Sequence, residues 1–395
     1  MKKYKKLNPD TESLRIKPSI CFIVTSPFTV NGFLINHLTE LAKLYEVTLC
    51  TNVDQYYLSP KLGISNLNII NVPLSRKISL WIDLKSWWIL FCVFRKYHFD
   101  SVHSITPKAG LLGMSAAFFA RTPFRLHTFT GQIWSNKAGM HRFFFKYVDW
   151  VIAKLATFVF ADSSSQIEFL LQEGICNSSK IAMLGEGSIS GVDLNRFHVN
   201  ALVKANMRQE LLARESDCIF LYVGRLCRDK GLFDLLSAYT KVKAVNTNAV
   251  LWLVGPDEED INGQSKELIN GLHDSIKWIG PTFTPECYMQ AADVLLLPSY
   301  REGFGSVIIE AAACHLPTIA YRINGVIDAI VDGKTGILVE TGNVSAFAKQ
   351  MQRLLASPVL RESLGSFAQE RAFANFSSKA VTTAWLNFYA KNLIH

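Results

Sequence analysis

Short apolar runs of strand length alternate along this chain with stretches whose apolar residues recur every three or four positions. Ser19 to Thr25 is such a run, Ser26 to Gly32 reads as a loop, and Phe33 to Leu44 has helical periodicity, so the chain opens as a βαβ unit. Strand patterns follow at Val47 to Cys50, Leu67 to Val72, Phe99 to His103, Phe124 to Thr128 and Ala156 to Ala161, with helical patterns at Gly110 to Ala120 and Ser164 to Glu173. After the Gly- and Ser-rich stretch Gly185 to Gly191 the alternation restarts. Strands are predicted at Cys218–Val223, Val250–Val254, Ile276–Ile279 and Val294–Leu297, and helices at Leu232–Lys243, Ser265–Leu272 and Pro285–Ala291. Such alternation predicts an α/β protein with two doubly wound parallel sheets, each covered by helices on both faces. The expected division is residues 1–190, residues 191–377, and a last helix, Ser378 to Leu393, that follows the sheet pattern and is free to pack elsewhere.

Composition supports two ordinary cores. The chain has 395 residues, 49% hydrophobic and 19% charged, which excludes extended disorder. Its eight cysteines are dispersed, without a C-x-x-C pair, and read as reduced core residues in a reducing compartment, with no zinc site. Met1 to Lys6 is basic, but no apolar segment follows before Ile20, so no leader peptide is expected.

Charge is unevenly placed. Residues 1–150 hold 19 Lys and Arg against 8 Asp and Glu, whereas the remainder is close to neutral, so the N-terminal part is expected to meet something anionic. Its cations stand singly among Trp and Phe. That mixture fits a membrane surface better than nucleic acid. Ile78 to Phe94 and His141 to Phe160 carry it most densely and are candidates for helices lying at a lipid surface, the alternative being helices buried against the sheet.

Candidate chemistry gathers after two strands of the second series. Tyr300 to Glu310 is a strand-to-helix turn in which Gly303 and Gly305 let the backbone approach a ligand. The amides of Ser306, Val307 and Ile308 open a helix that can hold an anion. Glu302 and Glu310 bring two carboxylates to the same pocket, a combination suited to a nucleotide-sugar, although an ordinary sheet loop would also contain such residues. Gly224 to Gly231 follows the strand ending at Val223 and carries Arg225 and Lys230, two cations placed to neutralise a leaving diphosphate. It is not a P-loop, and Pro27 to Gly32 does not match G-x-G-x-x-G. His127 ends a predicted strand and is expected to point into the interdomain cleft. No H-E-x-x-H, G-x-S-x-G or D-x-D occurs, and the missing D-x-D argues against a metal-dependent transferase.

Gly224-Arg225 through Lys230-Gly231, Gly255-Pro256, Glu302 and Glu310 at E-x7-E spacing, and the connector Gly191 to Phe197 together resemble a family 4 retaining glycosyltransferase of GT-B fold, in which two Rossmann-like domains face across a cleft. The resemblance covers nearly the whole chain and is most specific over residues 218–340. It implies a catalytic set of His127, Arg225, Lys230 and Glu302, with Arg225 and Lys230 on the donor diphosphate, Glu302 on the donor sugar and His127 facing the reacting sugar. Glu310 would bind the ribose hydroxyls, and Gly303, Phe304 and Gly305 would present backbone amides to the sugar. Gly32 would approach the phosphates beside Gly224, Ser306 and Val307. Ile279 and the turn to Phe283 would frame the base, and Ser378 to Leu393 would cross back to the first domain. Leu126 to Gln132 is similar to enzymes of bacterial surface-polysaccharide assembly, such as O-antigen, capsule and lipopolysaccharide synthesis.

The expected activity is therefore transfer of a hexosyl or N-acetylhexosaminyl group from a UDP-sugar to a saccharide carried on a polyprenyl diphosphate. Retention of configuration is expected, with no metal or other cofactor, by a peripheral protein at the cytoplasmic membrane face. Two alternatives remain open. One is a hydrolysing UDP-sugar epimerase of the same architecture, which would need further carboxylates in the cleft; the other is a non-catalytic nucleotide-sugar-binding protein.

Overall fold

The computed structural model describes residues 17–54, 57–63, 67–75 and 77–393; the basic stretch Met1 to Lys6 lies outside them. Among the described residues the first sheet contains β1 (Ser19–Val24), β2 (Glu46–Thr51), β3 (Leu67–Asn71), β4 (Ser101–Ile105), β5 (Phe124–Phe129), β6 (Phe158–Ala161) and β7 (Ile181–Ala182), in the order β3-β2-β1-β4-β5-β6-β7. The second contains β8 (Cys218–Val223), β9 (Ala249–Val254), β10 (Ile276–Gly280), β11 (Val294–Leu297), β12 (Thr318–Tyr321) and β13 (Gly336–Val339), in the order β10-β9-β8-β11-β12-β13. Every pairing is parallel. Two doubly wound domains result, each reversing strand order once, at β1/β4 and at β8/β11.

The helices that position the site are α1 (Pro27–Phe33), α2 (Ile35–Leu44), α3 (Pro60–Gly63), α4 (Leu80–Tyr97), α5 (Pro107–Phe119), α6 (Gly139–Leu155) and α7 (Ser164–Gln172) in the first half. The second half contributes α8 (Ala201–Glu210), α9 (Leu232–Lys243), α10 (Ile261–Gln264), α11 (Pro285–Ala291), α12 (Ser306–Ala313), α13 (Val326–Ala329), α14 (Val344–Ala356), α15 (Pro358–Asn375) and α16 (Ser378–Leu393).

Several elements depart from the sequence pattern. Ser26 to Gly32 is a helix rather than a loop: the Ser26 side chain caps it by accepting from the Phe28 amide, and Pro27 occupies the first helical position, where its missing N–H is harmless. Ser265 to Leu272 is not the expected helix. The chain forms the single turn α10, whose first amides are held by Asp257 and Asp260, and then a series of turns. The fourth strand begins two residues late because the Asp100 carboxylate, just ahead of it, accepts from the Ser19 amide and hydroxyl at the start of β1. The pattern missed β7, β12 and β13, which have two to four residues each.

The first domain packs on both sheet faces. One face is covered by α4 to α7 and the other by α2 and α16. Helix α16 is the last element of the chain, yet Trp385 stacks on His37 of α2 at 5.1 Å and the Tyr389 hydroxyl lies 2.7 Å from His103 Nδ1 on β4. The two crossings between domains run side by side: the Val192 amide donates to Phe376 O at 2.7 Å and the Ser378 amide to Val192 O at 2.8 Å.

All eight cysteines are free thiols, five of them buried, and Cys92 is exposed on α4. Both aromatic segments are helical over most of their length, although the second ends at Leu155 and the chain then enters β6. Helix α4 buries Leu90 and Phe94 against the domain but leaves Trp81 84% exposed, with Leu80, Leu84 and Trp88 beside it. Helix α6 exposes Met140, Phe143, Phe144 and Tyr147. Among the described residues no helix is long and apolar enough to cross a membrane.

Candidate active site

Strands β8 and β11 are neighbours at the centre of the second sheet, where strand order reverses. Loops leaving the carboxyl ends of such a pair diverge and leave a crevice between them, where open α/β sheets bind ligands. Gly224 to Gly231 leaves β8 and Pro298 to Gly305 leaves β11, so topology alone brings Arg225, Lys230 and Glu302 together. The two loops touch at Gly231, whose φ is +71° and whose hypothetical Cβ would lie 1.9 Å from Pro298 O; a larger residue would push the loops apart. The Tyr300 amide donates to Asp229 O at 3.1 Å beside that contact.

Each expected cation already holds a carboxylate. Lys230 Nζ lies 2.6 Å from Glu302 Oε1, and both side chains are largely buried. Arg225 Nη1 lies 2.6 Å from Glu258 Oε2 in a more exposed position, and the Tyr222 hydroxyl fixes its backbone by donating to Arg225 O at 2.8 Å. Asp229 pairs with Arg301 at 2.9 Å and accepts from Asn136 of the first domain, also at 2.9 Å. Sequence reading missed Glu258 because nothing in its neighbourhood marks it as the partner of a residue 33 positions away. Between the domains on this side lies an open cavity of about 560 Å³, lined by Asn136, Lys137, Arg225, Arg228, Asp229 and Arg301 among others.

Gly305, with φ +78°, opens α12, and the amides of Ser306 and Val307 occupy its first turn, where no intrahelical acceptor exists. The Ile308 amide, expected to be free, donates to Gly305 O at 2.8 Å. Glu310, one turn on, is half-buried; desolvation pushes its carboxyl up to about 7 against the opposing charge of Arg196. Arg196 is itself paired with Glu286 at 2.7 Å and donates to Phe283 O at 3.1 Å. The Phe283 ring is 96% exposed, Ile279 packs partly against the core, and the Phe304 ring is buried against Phe376. Gly32 sits exposed on α1 with open space beside it. Among the described residues no three His, Cys, Asp or Glu side chains are grouped as a metal site.

His127 corrects the sequence reading. Strand β5 runs on to Phe129, so His127 lies inside it rather than at its end. Its ring is 1% exposed, 2.8 Å from Ser104 Oγ, edge-on to Phe129 and pressed against Gly110 of α5. Burial pushes the ring down to about 3, so it is a neutral core histidine that does not reach the cleft.

The strand-end rule instead selects residues that the pattern passed over. Beyond β5, Gly131 (φ +93°) comes so close to the second domain that its hypothetical Cβ would lie 3.0 Å from Glu302 O. Beyond β6, Asp162 is buried, its Oδ2 only 2.5 Å from where a Cβ on Gly303 would stand. Desolvation pushes the Asp162 carboxyl up to about 7, with Glu302 and Asp328 nearby adding to the effect. Gln166 Nε2 donates to Glu302 O at 3.1 Å, and the Ser165 hydroxyl accepts from the Gly325 amide at 2.7 Å while bonding to Asp328.

Residues 203–371 match the family model of glycosyl transferases group 1. Over 311 residues the chain is 30% identical to the capsular polysaccharide biosynthesis glycosyltransferase CapM of Staphylococcus aureus, covering 78% of this chain and 81% of that one. It is 28% identical over 301 residues, 73% of this chain and 74% of the relative, to the Escherichia coli UDP-Gal:alpha-D-GlcNAc-diphosphoundecaprenol alpha-1,3-galactosyltransferase. The fold superposes on that of Anabaena HepE, solved in complex with UDP and glucose, with a TM-score of 0.78 at 19% identity over 95% of this chain and all of that one. With two facing doubly wound domains and a crevice at each strand reversal, the chain belongs to the glycosyl transferases group 1 and is a GT-B glycosyltransferase of the surface-polysaccharide type.

Proposed function

We propose that this enzyme transfers a sugar, with retention of configuration and without a metal, from a UDP-sugar to a saccharide borne on a polyprenyl diphosphate. The observation that carries the reading is the Lys230–Glu302 pair that joins the loops leaving β8 and β11, with Arg225 on the first of these loops and the first amides of α12 at the end of the second. Two cations and a helix N-terminus suit a diphosphate, and a buried acid beside them suits sugar hydroxyls. The donor diphosphate displaces Glu302 from Lys230, so the carboxylate is released to the sugar as the cation engages the leaving group. Negative charge developing on the β-phosphate is then stabilised by Lys230, Arg225 and the Ser306 and Val307 amides, while an acceptor hydroxyl attacks from the same face. Glu310 accepts from the ribose diol. The E. coli relative's name supports both the UDP-sugar donor and the diphosphate-linked acceptor.

The exposed aromatic residues of α4 and α6 support a peripheral position at the inner membrane face, where a lipid-borne acceptor is presented. The test is incubation of the purified protein with a panel of UDP-sugars and synthetic prenyl-diphosphate saccharides, with and without chelator, followed by determination of the product's anomeric configuration by NMR. An α-linked product from an α-linked donor, formed equally with chelator, is the expected result. Conversion of the UDP-sugar to its epimer without acceptor, or an inverted product, overturns the reading.

A further inference from the structure

The segment that leaves β5, Thr130 to Ala138, forms only a turn, yet it meets the second domain on both sides of Trp134. Before that residue, the Gly131 backbone abuts Glu302 O; after it, Asn136 Nδ2 donates to Asp229 Oδ1 at 2.9 Å. Ile133, Asn136 and Lys137 line the open cavity between the domains. A segment with so little structure of its own opens easily unless something ties it down. Trp134 faces the other way. It is fully buried in the core of the first domain, and the groups that hold it come from α6 and α7. Its indole Nε1 donates to Asp149 Oδ2 at 2.7 Å, and its ring stacks on Phe169 at 5.1 Å. The Arg142 guanidinium lies 5.0 Å from the ring centre and donates to both Trp134 O and Ser135 O at 3.2 Å, while Glu173 fixes Arg142 at 2.6 Å.

We propose that Trp134, held by Asp149 and Arg142, is a positioning residue: it fixes the segment Gly131 to Lys137 as the first-domain wall of the cleft and so governs the rate of transfer without touching the donor. The partners of the indole are those of an anchor. Stacking alone would let the ring slide in its plane, whereas the N–H bond to Asp149 fixes its position and the Arg142 bonds fix the backbone on either side of the Trp134–Ser135 peptide. A carboxyl only 4% exposed is costly to bury, and its cost is offset here by the one donor that the indole presents. What the anchor holds lies elsewhere: both neighbouring contacts reach the loops that carry Asp229 and Glu302. Displacement of a cleft wall by about 1 Å is enough to cost on the order of 10²-fold in rate. The assignment rests on the transfer reading above only for the rate that it governs.

The experiment compares wild type, Asp149→Leu, Asp149→Asn and Trp134→Phe in amide hydrogen exchange of residues 130–138 without ligand, in UDP-sugar affinity by calorimetry, and in kcat and KM for transfer to a prenyl-diphosphate saccharide. Asp149→Leu leaves the indole N–H buried without an acceptor. Exchange across 130–138 is expected to rise about ten-fold while β5 and β6 keep their protection, and kcat to fall about ten-fold or more, with UDP-sugar affinity and KM within about three-fold of wild type. Asp149→Asn, which keeps an acceptor, should hold exchange and kcat within about two-fold of wild type. Trp134→Phe, which keeps the stack on Phe169 and loses the N–H, should change both in the direction of Asp149→Leu, and it carries the comparison if that variant does not fold. A merely structural role predicts a lower melting temperature with local exchange and kcat unchanged, and that result overturns the assignment. If wild type transfers no sugar to the acceptor panel, the transfer reading falls, and exchange alone decides the anchor: a rise confined to 130–138 upholds it and unchanged exchange overturns it.

Discussion

The Lys230 ammonium and the Glu302 carboxylate meet at 2.6 Å, although they belong to loops whose residues lie 72 positions apart in the chain. On the proposed reading, the pair holds the diphosphate site in neutralised form. Removing only the lysine leaves a largely buried carboxylate uncompensated, an effect of about 3 kcal/mol, and removes a charge from the leaving group, worth roughly 10²- to 10³-fold in rate. Lys230→Ala should therefore lower both transfer rate and melting temperature. The double variant Lys230→Met with Glu302→Gln should recover the melting temperature and not the rate; recovery of both would mean that the pair is only structural.

Three desolvated carboxyls, the buried Asp149 and Asp162 and the half-buried Glu310, are each pushed up to about 7. In the unfolded chain they ionise near pH 4, so between pH 4 and 7 the native state binds more protons than the unfolded one, and stability falls as pH rises, by on the order of 3 kcal/mol per group. Asp149→Asn keeps an acceptor for the Trp134 indole N–H, which now donates to Asp149 at 2.7 Å. It should flatten the decline, gaining more stability at pH 8 than at pH 5 in urea unfolding. An unchanged slope would remove Asp149 from this account.

Glu310 carries the same shift into binding. Only its ionised form accepts from both ribose hydroxyls, so affinity for a UDP-sugar, whose diphosphate does not titrate near neutrality, should strengthen from pH 6 to pH 8 with a midpoint near 7. Glu310→Gln should bind several-fold more weakly at pH 8 and lose the pH dependence, as read by calorimetry.

Gly303→Ala tests the contact between domains. The added methyl would stand 2.5 Å from Asp162 Oδ2 and 2.8 Å from Thr130 O, both across the junction, so closure is obstructed while the second domain's core is untouched. Transfer should fall about 10- to 100-fold, with UDP affinity within a few-fold of wild type.

The exposed aromatic residues predict surface binding. Trp81→Ser with Phe143→Ser should reduce co-sedimentation with anionic vesicles several-fold and leave UDP-sugar binding unchanged. Equal sedimentation would show that these side chains do not mediate contact with lipid.

The sequence made the fold and the family legible because its signals are local. Apolar runs such as Cys218–Val223 set the strands, and Gly231 and Gly305 mark turns that no other residue makes comfortably. Glycine, Arg225, Lys230, Glu302 and Glu310 at fixed spacing are visible without coordinates. Where local signals conflict they mislead: Ser26-Pro27 reads as a loop and is a helix start, and the short strands β7, β12 and β13 did not register.

Tertiary structure decided what each residue faces. His127 sits inside an apolar strand that runs on to Phe129, and there it is a neutral core residue rather than a cleft one. Asp162 and Gln166 carry no motif, yet strand order places both against Glu302 and Gly303. Spacing along a chain fixes which side chains share a loop or a helix face, and so the sequence determined the turn that carries Glu302 and Glu310. Partnership between loops depends on which strands are neighbours, and the pairing of Lys230 with Glu302 and the buried junction between the domains exist only once both sheets are formed.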